Sequence, residues 1–454
     1  GEKGEGAAQG EGGVGAGIGA EEIQIWTDVD GMLTCDPRIL PAMQSFTDQQ
    51  GVPLVTFAAD GKGGYRVTQS RYARLGAQAP AIRWGIPLCV RRVAAKQQCQ
   101  LLDQTSGSVK PVGRGALIPN AGGTGYYRFE LPAAEWDTLI ATAARLPGGE
   151  ALALDDSLFA SFQAGRASPA QLIAGAVNLA KNPDSYASEA GVGSLEWLFR
   201  GGLLDAEGEA GYRRLIRSIF APRVAAMGFN PRAGAYAGEN PEKSQQRIQA
   251  VTQLVEGGHD AALRQQIGTA ARAYLAGDTK ALDPSWFGVA FDIVVEEGGL
   301  TAAQQLAEAA LKSQDPLFRP SALGAVASSG KDEIGRWVLG FNDDRLRRSE
   351  RLSLIRGVTS SKGTRDMGFA WLQANYADLA AGGGGIFFSS RLPGMVGGYC
   401  SVAKADEVAA FLRPKLAGKT GALELERTIE RIRSCGVLKD ARGAELSAEF
   451  KKVK

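Results

Sequence analysis

The stretch IPNAGGTGYYRFEL, Ile118 to Leu131, divides the chain. It reads as a glycine-loosened turn running into an aromatic strand, and the sequence on its two sides follows two different periods. Asn120 and the glycines after it allow the positive backbone dihedrals that a tight strand-to-strand connection requires. Tyr126, Tyr127 and Phe129 supply the apolar area that a sheet with helices at one end must bury.

Ahead of this stretch the pattern is β. GVPLVTFAAD (51–60) is a short apolar run, and in GGYRVTQSRY (63–72) Tyr65, Val67 and Gln69 alternate with Arg66, Thr68 and Ser70. WGIPLCVRRVA and KQQCQLL read as two more strands. Five or six short strands with Gly, Pro and Asn punctuation predict a small β-sandwich over 51–131.

After Pro132 the period lengthens to about three and a half residues. In AAEWDTLIATAARL, Trp136, Leu139, Ile140 and Ala143 fall on one helical stripe. The stripe recurs through Leu263, Ile267, Ala270 and Leu275, and again through Leu425, Ile429 and Ile432. The fold class expected is therefore multidomain, β then α: a small β-sandwich followed by an α-helical superhelical array of HEAT/armadillo-like kind over 132–454. No strict period licenses a named repeat. Residues 1–22 read as a flexible Gly-rich segment, whose GVGAGIG imitates a phosphate loop without a strand before it.

The chain has 454 residues, 44% hydrophobic and 22% charged, with net charge +2. That composition is globular and suggests two to four domains at about 150 residues each. No basic block of the kind nucleic-acid binders use is present, and no apolar run reaches the roughly 18 to 20 residues that span a bilayer. Neither a nucleic-acid partner nor a membrane span is expected.

Cysteines stand at 35, 89, 99, 400 and 435. Cys89 and Cys99 lie on the two strands of one predicted hairpin, and Cys400 and Cys435 lie in the last helices. Neither pair has metal-ligand spacing. Two disulfides are expected, Cys89 with Cys99 and Cys400 with Cys435, leaving Cys35 free; buried reduced thiols are the alternative. If the bridges form, the compartment is oxidising, periplasmic or secreted.

Candidate chemistry is sparse. Serine and cysteine nucleophiles normally want a histidine base, and no GxSxG elbow occurs. His259 is the single histidine and sits at the start of a predicted helix, a surface or capping place. Asp155 and Asp156 are read as preceding a helix and complementing its N-terminus. No catalytic residue is assigned.

Taken in order, MQSFTDQQGVPLVTF, YRVTQSRY, WGIPLCVR, LIPNAGGTGYYRFELPAAEWDTLI, ALALDDSLFASFQAGRAS and RDMGFAWLQANYADL resemble the C-terminal portion of aminopeptidase N-like zinc metallopeptidases. The family's sandwich ends in a strand matched by Asn120, Gly125, Tyr126, Tyr127 and Arg128, with Trp136 on the helix that follows. Its helical domain, of endoplasmic-reticulum-aminopeptidase type, is matched by Asp155, Asp156 and Gly165, and later by Gly228, Phe229, Gly238, Glu239 and Arg247. The resemblance covers roughly Pro41 to the C-terminus. It implies that 23–50 is the end of a catalytic domain, and that the helices cover an active-site cleft and restrict substrates to peptides.

The zinc of the parent enzyme needs two histidines four residues apart with a glutamate base between them. One histidine cannot supply that, so no metal ligand and no cofactor is assigned to this chain. Gly238-Glu239-Asn240 is not the family's amine-binding Gly-x-Met-Glu-Asn strand, because the Met is absent and the position is wrong. The resemblance also offers Arg365 as the arginine that reaches a bound peptide, the alternative being a pair with a surface carboxylate. The implied partners are a peptide substrate and an upstream catalytic domain of the same enzyme. The function expected is the non-catalytic C-terminal region of a zinc-dependent aminopeptidase; the alternative is a stand-alone helical scaffold that binds peptides or proteins.

Overall fold

Burial alternates along the strands as their sequences dictate. Tyr65, Val67 and Gln69 are buried on β2 (Tyr65–Arg71), and Ile86, Leu88 and Val90 on β3 (Ile86–Arg92). The computed structural model describes residues 45–381 and 385–454. The Gly-rich segment 1–22, most of 23–50 and Cys35 lie outside the described residues.

Two sheets form. One has the order β5 (Ser106–Val109), β2, β1 (Pro53–Ala59), β7 (Arg128–Glu130), and the other has the order β4 (Gln98–Leu102), β3, β6 (Leu117–Ile118). β1 pairs antiparallel with β2 and parallel with β7. A buried amide ties the sheets together: Gln69 Nε2 lies 2.9 Å from the Trp84 carbonyl and 3.0 Å from that of Leu102, while its Oε1 accepts from the Trp84 N–H at 2.8 Å. These bonds replace the water that a buried amide would otherwise need. Seven strands exceed the five or six expected, because Ser-Gly-Ser-Val (β5) carries no apolar alternation and is a strand through its pairing with β2.

The Ile118–Leu131 stretch is a joint rather than one continuous strand. Its turn, Ala121–Gly123, uses positive φ at Gly122 (+80°) and Gly123 (+68°). A Cβ at Gly123 would lie 2.2 Å from the Gly149 carbonyl carbon, so only glycine fits this approach. Asn120 closes the loop by donating to the Gly125 carbonyl at 2.8 Å and accepting from its N–H at 3.0 Å. Tyr127 is buried with its hydroxyl on the Pro119 carbonyl, whereas Tyr126 lies outside the strand, exposed, edge-on to Phe46. Ile118 ends β6, and Arg128–Glu130 pairs as β7.

Glu130 then fastens the sheet to the first helices. It accepts from Trp136 Nε1 on α1 (Ala133–Ile140) at 3.0 Å and from Ser161 Oγ on α2 (Gly148–Gln163) at 2.8 Å. Asp155 and Asp156 do not precede a helix: they lie inside α2, which begins at Gly148 behind Pro147. Proline before the first turn lacks only an N–H that a helix start leaves unpaired.

Thirteen further helices follow among the described residues: α3 (Pro169–Leu179), α4 (Ser185–Arg200), α5 (Ala206–Met227), α6 (Pro241–Thr252), α7 (Ala261–Leu275), α8 (Phe287–Lys312), α9 (Phe318–Ser328), α10 (Asp332–Gly340), α11 (Arg348–Ser360), α12 (Arg365–Ala381), α13 (Gly385–Met395), α14 (Val402–Leu416) and α15 (Ala422–Lys451). The result is a small β-sheet region followed by a mostly helical body. The stripes named from the sequence are buried, except Leu263, which is partly buried, and Leu275, whose neighbour Tyr274 packs on Phe287 and Phe318 in its place.

The array is not open-ended. α15 returns to α5, where a Cβ at Gly211 would stand 2.1 Å from the Phe450 carbonyl oxygen. The Asp205 N–H donates to Ser447 Oγ at 3.0 Å, and Arg214 donates to the Val453 carbonyl at 2.8 Å. Disulfides join Cys89 to Cys99, directly opposed on β3 and β4, and Cys400 to Cys435, which pins the turn before α14 to α15.

Candidate functional site

Helices α4 to α9 and the turns between them surround a pocket of about 520 Å³ in the helical body. Each wall follows from local sequence. Asp184 caps α4 by accepting from the Ala187 N–H at 3.0 Å, and one turn from that helix's end Glu196 and Arg200 stand i, i+4 on the same face. Asp205 caps α5, which contributes Tyr212 and Arg213. α6 runs into a π turn, Gln253–Gly257, that widens the helix and brings Gln253 and Glu256 to the wall. His259 follows with φ +52°, the one non-glycine residue with positive φ among those described, and Asp260 then caps α7. α8 shows Val289, Asp292 and Glu296 on one side and is interrupted beyond them at Gly299.

Most charges in the pocket are paired. Arg200 donates to Glu196 Oε1 at 2.5 Å and to Glu256 Oε2 at 2.8 Å, and Gln253 donates to Glu196 Oε2 at 3.1 Å. Arg264 holds Glu296 at 2.6 Å, with His259 Nε2 3.4 Å from the other carboxylate oxygen. Burial, with Arg264 and Arg213 nearby, keeps the His259 imidazole below its usual range and so neutral at pH 7.

Two buried donors remain unsatisfied. The Tyr212 hydroxyl and Arg213 Nη1 have no hydrogen-bond partner among the described residues. Tyr212 is 0% exposed, stacked on Phe199 with ring centroids 4.5 Å apart, and Arg213 lies 5.6 Å from the same Phe199 ring. Leaving such a group unmet costs about 1–3 kcal/mol. Burial first, then Glu256, pushes the Asp292 carboxyl up to about 6. The arrangement is one of recognition: unmet donors behind a rim of engaged carboxylates.

His259 is the one residue singled out from the sequence that the structure places at this pocket. Arg365 stands elsewhere, donating to the Gly398 carbonyl at 2.5 Å with its guanidinium 5.1 Å from the Tyr399 ring. Glu239 binds buried Arg247, which also donates to the Met227 and Gly228 carbonyls at the end of α5. Sequence reading missed Arg200, Tyr212, Arg213 and Asp292, which look like ordinary helix residues; the available signal was Tyr-Arg-Arg on an apolar stripe. Among the described residues no group of three or more His, Cys, Asp or Glu is placed to hold a metal ion. No described helix is long and apolar enough to cross a membrane.

A 44-residue stretch is 52% identical to Aspartokinase 2, chloroplastic, of Arabidopsis thaliana; it amounts to 10% of this chain and 7% of that protein's length, too little to carry an argument about fold or activity. The model of the ERAP1-like C-terminal domain matches residues 116–434, from the joint at Ile118 through every wall of the pocket to the last helix. The chain therefore belongs to the ERAP1-like C-terminal domain family, a C-terminal domain of aminopeptidase-type proteins.

Proposed function

We propose that this chain is the non-catalytic C-terminal region of an aminopeptidase N-like, zinc-dependent aminopeptidase, covering the active site and shaping which peptides reach it. The observation that carries the reading is the family match over 116–434, on a helical body whose end closes onto its middle. A closed wall of helices excludes folded substrates and admits extended chains, which is how such a body would restrict access. The zinc and the base that activates water belong, on this reading, to another part of the same enzyme. Arg365, whose Nη1 holds the Gly398 carbonyl, is the candidate for peptide contact beside the turn at 398–399. Two disulfides suit an oxidising compartment, periplasmic or secreted.

The test joins the chain to the coding sequence that precedes it in its gene and measures release of N-terminal residues from peptides of graded length. Zinc-dependent release, with a length preference that changes when 133–454 is removed, is the expected result. An upstream sequence without His-Glu-x-x-His would sink the reading and leave a peptide-binding scaffold.

A further inference from the structure

The α4–α9 pocket holds one cation and one carboxylate that the protein leaves to each other or to a guest. Glu196 and Glu256 are engaged by Arg200, and Glu296 by Arg264. Arg213 makes no ion pair among the described residues, and its Nη1 is buried without a partner beside the equally unmet Tyr212 hydroxyl. Asp292 likewise has neither an ion pair nor a hydrogen bond among the described residues; only charges at longer range act on it. Phe199, Val255 and Val289 supply apolar wall between these groups.

A guest that satisfies all of them carries an anionic acceptor for two donors, a cationic donor for one carboxylate, and a modest apolar part. We propose that this pocket binds a zwitterionic amino compound, a free α-amino acid or a dipeptide, with its carboxylate on Arg213 and Tyr212 and its ammonium on Asp292. A planar guanidinium with a hydroxyl is a strong carboxylate receptor when desolvated. A cavity of about 520 Å³ has room for the side chain as well. The chemistry stands on the cavity alone; its meaning as product sensing, since an aminopeptidase releases free amino acids, rests on the reading above.

The charged groups facing Asp292 are Glu196 and Arg200 on α4, Arg213 on α5, Glu256 in the π turn, His259, Arg264 on α7 and Glu296 on its own helix. Their sum with burial places Asp292 near 6, so the carboxylate is ionised at pH 7.5 and largely protonated at pH 5. Ammonium binding should weaken across that interval.

Calorimetric titration of the full chain with leucine, leucyl-glycine, N-acetyl-leucine and leucinamide tests the assignment. Leucine or leucyl-glycine should bind, the tighter of the two naming the source, while each singly charged analogue binds at least about tenfold more weakly. Asp292→Asn and Arg213→Gln, with melting curves matching the parent, should each lose about tenfold, and the parent should lose affinity between pH 7.5 and 5. No heat from either zwitterion at millimolar concentration overturns the proposal. So does N-acetyl-leucine binding as tightly as leucine, which would leave a simple carboxylate site. Should the variants fail to fold, the four-ligand comparison still decides. Failure of zinc-dependent peptide release would leave leucine binding untouched, so the two readings fail separately.

Discussion

Adjacent carboxylates of α2 face opposite ways and live in different solvents. Asp156 is half-exposed and makes a two-point pair with Arg128, at 2.9 and 2.8 Å. Asp155 is buried against α4, where Ser194 Oγ donates to it at 3.0 Å. Burial outweighs that bond and, helped by Asp156, pushes the Asp155 carboxyl up to about 7. The folded state therefore holds its proton more tightly than the unfolded chain, whose value is near 3.8. Stability should be intact below about pH 4, fall as the pH rises through about 7, and level off above it, by on the order of 4 kcal/mol at most. Asp155→Asn should flatten that slope in urea melts across pH 4 to 8; an unchanged slope would refute the assignment. At Arg247, which stacks 3.7 Å from the Tyr236 ring, truncation to Ala strips partners from the Met227 and Gly228 carbonyls as well as from Glu239. Arg247→Ala should thus lower Tm further than Glu239→Gln does, and the reverse order would mean that the ion pair alone matters.

Among the elements, α4 and α5 offer a matched pair of glycines. Gly193 has nothing within 4 Å of where a Cβ would stand, so Ala there should stabilise α4 by up to about 1 kcal/mol. Gly211 meets the Phe450 backbone, so Ala there should destabilise by about 1–3 kcal/mol by prising α15 from α5. Denaturant melts of the two variants, run together, decide whether the α5–α15 contact is as tight in solution. The strands and helices that carried strict periods were legible, because period 2 and period 3.6 are what burial of one face requires. β5 was not, since its strand character comes from β2 beside it. Asp155 was misplaced because paired carboxylates suit a helix N-terminus, whereas the helix opens earlier, at Gly148 behind Pro147. The pocket was invisible for a different reason. Its walls come from residues spread over 196–329, each on a helix face that resembles any other, and only packing reveals that Arg213 Nη1 has no hydrogen-bond partner among the described residues.

For the molecule as a whole, the last helix and the earlier α5 depend on one another. The Cys400–Cys435 bond closes a loop of 35 residues and fixes α15 in the position from which it reaches α5. Its loss should cost about 2–4 kcal/mol. The joint variant Cys400→Ala/Cys435→Ala should melt below the parent in oxidising buffer and together with it in excess dithiothreitol. A gap that persists in reductant would point to lost packing instead of the cross-link.

The return of α15 also sets a clock. The Asp205–Ser447 bond spans 242 positions, and at about 5–20 residues per second a ribosome needs roughly 12 to 50 seconds to deliver the second partner after the first. Throughout that interval α5 waits with its glycine face uncovered, and the helices between cannot complete their enclosure. An ordinary solenoid settles repeat by repeat as it emerges, whereas here the cover over α5 waits for the thirty residues of α15. Chains halted before α15 should be cut by protease within α5 while the complete chain is spared, and the time to acquire that resistance would measure the delay directly.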